Sequence, residues 1–417
     1  MKKIVIAEAG SAKNVGSMAL IENAIKIARL KTPDCNITVL SSDPVTVNSV
    51  LIKDKIMGVK VIHDMFVIPN KGSWGKLIWL VQNIFFILYT RFLFLFTKHI
   101  RWALIGNKKD IIRIVEEAEC VYCIGAERIN DIYFKTALLS LYAIGTYAHM
   151  GKKLVHLSLT IGPVFYKSTI FVAKNVLNRS YAIFVRDQKS FDILKSWNCK
   201  ASFQFNSYDI ALLQNRDKSL VTSLLDEFNI RAGFIGLSAL NWSFRKAVGP
   251  ARMPDYIQSI ADTLDYIIET YNKNIVVTPT VVDICVTRGD DKVADEIITK
   301  MKYGYRVTNI HRVLTPIEMA TLFSQSYFSI VTRMHAAILC SGAGNKPVIA
   351  INYLYKLREY MKNIGFEEYS VDIDYVNTKD LKSFIDNMIL SYDENSKLLS
   401  SRQCQLRKCI FDNISKI

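Results

Sequence analysis

A chain of 417 residues, half of them hydrophobic, exceeds the size at which a single core keeps growing, so two domains are the default. Its 53 Lys and Arg against 38 Asp and Glu leave a formal net charge of +15, which points to an anionic partner: nucleic acid, an acidic membrane surface or a phosphorylated metabolite. Without zinc-finger spacing, an RNA-recognition strand or a basic tail, nucleic acid ranks lowest of the three.

The opening MKKIVIAEAG has too short an apolar run for a secretory leader, and a cytoplasmic chain is expected. KKIVIAE reads as a strand, AGSAKNVGS as a small-residue loop and MALIENAIKIARL as a helix, the way nucleotide-type folds begin. Strands follow at NITVLSS, KVIHD, CVYCIGA, KLVHLSLTIG, YAIFVRD and ASFQFNSYDIALL, with a helix near 136–150. Alternation of this kind predicts a parallel sheet covered on both faces. The eight cysteines lack framework spacing and read as reduced core residues. Cys120 and Cys123 fall on a strand, where side chains three apart point to opposite faces, so packing is expected there and not metal.

LIWLVQNIFFILYTRFLFLF, residues 77–96, is long enough to cross a bilayer. Arg91 near its middle makes spanning costly, by roughly 2.5–3.5 kcal/mol on insertion scales. Its polar residues, Gln82, Asn83, Thr90 and Arg91, are expected on one side with Lys76 and Lys98. Trp74, Trp79, Trp102, Lys98 and Arg101 suit headgroup level, and peripheral docking is weighed against burial between the two halves.

After a polar stretch at 214–217 a second series begins: GFIGLSAL, a helix over 255–271, NIVVTPTV, YRVTNI, then FSIVTR, MHAAILCSG and KPVIAINY. The boundary is placed at 214/215, giving an N-terminal α/β domain (1–214), a C-terminal α/β domain (215–377) and a basic helical segment (378–417) expected to pack back on the N-terminal domain. Within SIVTRMHAAILCSGAGNKPVIAINYLYK, residues 329–356, an Arg, a His and a Lys surround a strand, turn, helix and strand, the arrangement in which an α/β protein offers cations to a phosphate or carboxylate. The other histidines, His63, His99, His149, His156 and His311, show no partner spacing and read as structural.

The run Thr332-Arg333-Met334-His335-Ala336-Ala337, then Lys346-Pro347-Val348, Tyr353 and Lys356, resembles the C-terminal signature of the polysaccharide pyruvyl transferase family. Asn14 and Gly16 in the opening loop, Ile161-Gly162-Pro163, Val185-Arg186-Asp187 with Ser190, and Asp209 agree in order. The resemblance implies two Rossmann-like halves facing a central cleft, similar to GT-B glycosyltransferases, and transfer of the enolpyruvyl unit of phosphoenolpyruvate onto two sugar hydroxyls. It implies no metal and no cofactor beyond that donor. The acceptor is a cell-surface polysaccharide precursor, free or lipid-linked.

The chemistry calls for these residue types. Protonating the methylene of the donor needs an acid with a pKa near neutrality, and imidazole is the closest, so His335 takes that role. Arg333 suits a planar carboxylate or phosphate, and Lys356 the departing phosphate. On the family pattern Arg186 is a donor ligand, Tyr353, in the C-terminal signature with Lys356, is a substrate-binding residue, and the loop with Gly10, Ser11, Asn14 and Gly16 holds the acceptor. The blander reading pairs Arg333 and Lys356 with Glu359 or another carboxylate, and Arg186 with Asp187.

Two positions depart from the family pattern: Gly125-Ala126-Glu127-Arg128 replaces a glycine run, and Ser17 stands where Asp is usual. Both fall on the acceptor side. The competing readings are a glycosyltransferase using a nucleotide sugar, since architecture does not fix function, and a non-catalytic subunit of a polysaccharide assembly complex.

Overall fold

The computed structural model describes residues 1–69, 72–125, 127–244, 248–282 and 289–417. Contacts divide the chain into two units: Met1–Ser11, Leu20–Ile210 and Asp412–Ile417 form the first, Ala12–Ala19 and Ala211–Phe411 the second. The chain passes between the units four times, at 11/12, 19/20, 210/211 and 411/412, which a sequence cut at one point does not describe. The opening loop from Ala12 onward belongs with the C-terminal unit, not with the N-terminal half, and only the last six residues of the C-terminal segment return to the first unit.

The first unit alternates strands and helices in chain order: β1 (Lys2–Ala9), α1 (Val15–Lys31), β2 (Cys35–Ser41), α2 (Pro44–Lys53), β3 (Val59–His63), α3 (Ser73–Leu93), α4 (Gly106–Glu117), β4 (Cys120–Cys123), α5 (Phe134–His149), β5 (Lys153–Leu159), α6 (Lys167–Leu177), β6 (Ala182–Val185), α7 (Gln188–Ser196) and β7 (Phe203–Asn206). Every pairing is parallel, in the order β3-β2-β1-β4-β5-β6-β7. The central strands are continuous apolar runs because helices cover both faces. Cys120 and Cys123 lie in β4 as buried core side chains, and burial pushes the Cys120 thiol up to about 12.

The second unit contains α8 (Val221–Glu227), β8 (Phe234–Ser238), α9 (Met253–Tyr271), β9 (Ile275–Val277), α10 (Asp290–Lys300), β10 (Val307–Asn309), α11 (Pro316–Phe323), β11 (Ser326–Val331), α12 (Met334–Ile338), β12 (Val348–Asn352), α13 (Tyr355–Asn363), β13 (Ser370–Asp372), α14 (Thr378–Leu390) and α15 (Tyr392–Ser415). Its parallel sheet runs β10-β9-β8-β11-β12-β13. Strand order reverses between β8 and β11, which puts the carboxyl ends of these two central strands at the place where open α/β sheets take ligands. α14 and α15 as far as Phe411 stay with this unit: Leu381, Ile385 and Met388 are buried, Asp386 accepts from the hydroxyls of Tyr266 and Tyr271 at 2.8 and 2.6 Å, and Tyr392 stacks on Tyr327 at 4.1 Å.

Candidate functional site

β11 (SYFSIV) is an almost wholly buried strand in the middle of the second sheet, and its end is held by hydrogen bonds. Thr332 donates its backbone N–H to the Ser238 carbonyl at 2.8 Å, and its hydroxyl bonds the buried phenol of Tyr256 at 2.8 Å. That phenol also accepts the Leu240 N–H at 3.1 Å, tying β8 and β11 together just before Arg333.

Arg333 sits at the N-cap of α12 and reaches Asp290 at the start of α10. Its Nη2 lies 2.7 Å from Asp290 Oδ1 and its Nε 3.2 Å from Oδ2, a two-pronged pair on a carboxylate that is itself fully buried. Asp290 Oδ2 also accepts the backbone N–H groups of Thr280 and Val281, at 3.2 and 2.9 Å. Burial works against the charge on Arg333, but Asp290 outweighs it and raises the guanidinium pKa, so the cation is permanent. Asp290 takes Nε and Nη2 and leaves Nη1 outside the pair. The carboxylate that orients Arg333 is therefore Asp290, not Glu359.

His335, two residues on, is half-buried and stands over Gly16. A Cβ at Gly16 would fall 2.2 Å from His335 Nδ1 and 2.7 Å from its Cβ, so only glycine lets the imidazole lie where it does. Asn14 sets that glycine in place: its Oδ1 accepts the N–H groups of Gly16 and Ser17 at 3.0 and 3.2 Å, capping α1. The segment is pinned to the loop after β9 by an Asn14–Val281 bridge, with Val15 donating to the Thr280 carbonyl at 2.9 Å. Asn14 and Gly16 thus support the imidazole. Ser11, by contrast, lies in the first unit, where its hydroxyl donates to Asp43 Oδ2 at 2.7 Å.

Tyr353 and Lys356 follow β12, the neighbour of β11, and so belong to the same sheet edge as Arg333 and His335. Trp242 packs edge-on against Tyr353 with ring centroids 5.1 Å apart, and the Lys356 ammonium lies 5.2 Å from the Tyr353 ring centroid. Lys356 occupies the first turn of α13, where the helix dipole disfavours a cation and favours an anion beside it.

The first unit has its own charges at its carboxyl edge. Arg186, one residue beyond β6, is buried: Nε donates to Thr160 Oγ1 at 2.5 Å, Nη1 to Asp209 Oδ2 at 2.7 Å, and Nη2 lies 3.5 Å from Glu127 Oε1. Asp187 turns away and caps α7 by accepting the Ser190 N–H at 2.7 Å. Glu8, near the end of β1, has the left-handed φ of 64° and is 5% exposed. Burial outweighs the nearby Arg128 and pushes its carboxyl up to about 8, and burial likewise raises Asp64 just after β3. Gly125 makes room for this group, since a Cβ there would fall 2.2 Å from Arg128 Cγ and 2.8 Å from Glu8 Oε2. Glu8 and Arg128, 3.9 Å apart at Oε1 and Nε, flank the β1/β4 reversal of the first sheet, the place where open α/β sheets take ligands.

A family model described as polysaccharide pyruvyl transferase matches residues 14–355, from the residue that caps α1 to the first residue of α13. The chain belongs to the polysaccharide pyruvyl transferase family. This pyruvyl transferase family member is therefore an enzyme of that kind, acting in polysaccharide biosynthesis. No curated protein sequence matches it. Among solved structures it is similar to the S. aureus MnaA–UDP complex (TM-score 0.61, 12% identity, 96% of this chain and 91% of that one). It is also similar to UDP-GlcNAc 2-epimerase from Neisseria meningitidis bound to UDP-GlcNAc (0.59, 12%, 100% of each chain). A third is Anabaena HepE in complex with UDP and glucose (0.56, 15%, 100% of this chain and 98% of that one). At these identities the likeness is one of fold: two parallel sheets with interleaved helices, as in GT-B glycosyltransferases and UDP-GlcNAc 2-epimerases.

Sequence reasoning missed Asp290 and Glu8. An acid in the first turn of a helix reads as an ordinary dipole complement, and one at the end of an apolar strand reads as the strand's edge. For Glu8 the available signal was its place, a single acid closing the first strand of a Rossmann-like unit.

Proposed function

We propose that this pyruvyl transferase family member moves the enolpyruvyl unit of phosphoenolpyruvate onto two hydroxyls of one sugar in a cell-surface polysaccharide precursor, leaving a pyruvate ketal and inorganic phosphate. His335 gives a proton to the donor's methylene carbon, which becomes the methyl group. The central carbon gains oxocarbenium character and takes one sugar oxygen as the C–O bond to phosphate breaks, and the second hydroxyl then closes the ketal. Of the two hydroxyl protons lost, one restores His335 and the other leaves with phosphate.

The observation that carries this reading is the support built under Arg333 and His335. A buried carboxylate with two backbone donors fixes the guanidinium, and a glycine backbone seats the imidazole. A purely structural arginine and histidine have no need of both. Arg333 Nη1 is directed to the donor's carboxylate, a planar partner that a guanidinium matches, and Lys356 with the first turn of α13 to the departing phosphate.

Thermal shift with phosphoenolpyruvate, with UDP-glucose or UDP-GlcNAc, and with neither tests the donor. At a hundred times its Kd a ligand stabilises by about 2.7 kcal/mol. Phosphoenolpyruvate should protect the wild type, Arg333→Ala should lose protection, and His335→Ala should bind but turn over about 10²–10⁴-fold more slowly. Protection by UDP-sugars alone would assign the chain to nucleotide-sugar transfer, and full activity in His335→Ala would falsify the proton role.

A further inference from the structure

α3 is amphipathic the wrong way round for a helix in water. Two of the polar residues expected on one side of the helix, Asn83 and Thr90, are 3% and 0% exposed and turned onto the body of the first unit. Asn83 Nδ2 donates to the Trp79 carbonyl at 2.6 Å and its Oδ1 accepts from Lys108. The Thr90 hydroxyl bonds the Phe86 carbonyl at 2.7 Å and meets the hydroxyl of Tyr142 on α5. The ammonium of Lys108 lies 3.7 Å from the Phe86 ring centroid. With Asn83 and Thr90 turned inward, the helix presents Ile78, Val81, Phe85, Leu88 and Phe92 outward at three- and four-residue spacing, Phe85 and Leu88 being 68% and 62% exposed.

The apolar face does not end at α3. A groove of about 1330 Å³ runs from it along α5 and α6, floored by apolar side chains such as Leu138 and Phe171 and edged by Lys76, Arg91, Lys135 and Arg179. Exposed Trp74 and Trp102 stand at the two ends of the segment. From Met65 to Lys109 the sequence has seven Lys and Arg and no Asp or Glu, nearly half the net charge of the whole chain. Charge chooses the occupant: a second copy would set this cationic strip against itself, whereas an anionic leaflet neutralises it while taking the aromatic and aliphatic side chains among its headgroups.

We propose that α3 and the groove beside it form a docking face for an anionic phospholipid bilayer, with α3 lying in the interface. The helix is long and apolar enough to span a membrane, but Asn83 and Thr90 hold one side of it to α5 and to Lys108, which suits an in-plane pose. The proposal is independent of the donor chemistry of the second unit.

The test is sedimentation of the full chain with vesicles of phosphatidylglycerol in phosphatidylcholine, and of phosphatidylcholine alone, while the tryptophan emission is followed. The wild type should partition onto the anionic vesicles with a blue shift from Trp74 and Trp102. Phe85→Glu with Leu88→Glu, both at exposed positions, should weaken this by tenfold or more with no change in unfolding temperature. Lys76→Glu and Lys98→Glu should each cost roughly fivefold on anionic vesicles only. Equal sedimentation of the double-glutamate variant, no preference for phosphatidylglycerol, or a dimer that the double variant dissociates would each overturn the proposal.

Discussion

Arg186 follows β6 and Arg333 follows β11, each at the carboxyl end of a strand in a parallel sheet, yet their surroundings differ in kind. Arg186 meets Asp209, Glu127 and Thr160, and its side chain is 3% exposed. Arg333 meets one carboxylate along one edge, with a side chain 20% exposed, and a histidine seated two residues away. A guanidinium has five donors, and what matters for ligand binding is how many the fold has already consumed. By that measure Arg186 organises its own sheet edge, and Arg333 keeps Nη1 outside its ion pair.

The largest expected effect tests this difference directly. Arg186→Met strands two carboxylates in the first unit and should cost about 3–5 kcal/mol in a urea titration, with Asp209→Leu added in the same chain restoring part of the loss. Arg333→Met leaves Asp290 with its two backbone donors and should cost less stability while abolishing donor protection. Equal destabilisation of both variants would erase the contrast.

Gly16→Ala sharpens the second unit's side. The added Cβ meets the His335 ring, so the imidazole has to shift, and a displacement of this order costs about 10²-fold in rate. Because His335 Cβ, fixed to the α12 backbone, also falls within 2.7 Å, the ring alone cannot relieve the overlap and the unfolding midpoint should fall as well. Unchanged kcat in this variant would mean the imidazole position does not matter.

The smallest effect concerns the first unit's edge. Glu8 has a folded pKa of about 8, above its ordinary value, so the folded state holds this proton longer than the unfolded chain does. Its contribution is fully present below about pH 4.5 and is lost as pH rises to about 8. Glu8→Gln mimics the protonated form and should gain about 1–2 kcal/mol over the wild type between pH 5 and 6.5, since each pH unit in this window is worth about 1.4 kcal/mol. Unfolding midpoints measured across that range should diverge as pH rises; parallel curves would mean Glu8 titrates normally.

Period and strand content made the α/β class, the strand series and the central position of FSIVTR legible, because strands buried on both faces are written as continuous apolar runs. Arg333, His335, Tyr353 and Lys356 were legible because they are close in sequence, flanking two adjacent strands. Asn14 and Gly16 were visible as a motif, but not as the seat of His335. Their seat under His335 depends on Ala12–Ala19 joining the second unit, a contact across some three hundred residues that local spacing does not encode.

By itself, then, the sequence determined which side chains are available, their periodicity and their net charge, and through a run of motifs the family. Tertiary structure decided which of those groups are already spent. Arg186 is enclosed by carboxylates from two other segments, Asp290 arrives beside Arg333 from 43 residues upstream, and Asn83 and Thr90 turn inward so that α3 shows its apolar face. The physical reason is common to all three: a polar group's cost or usefulness is set by the partners that desolvate or satisfy it, and those come from distant parts of the chain.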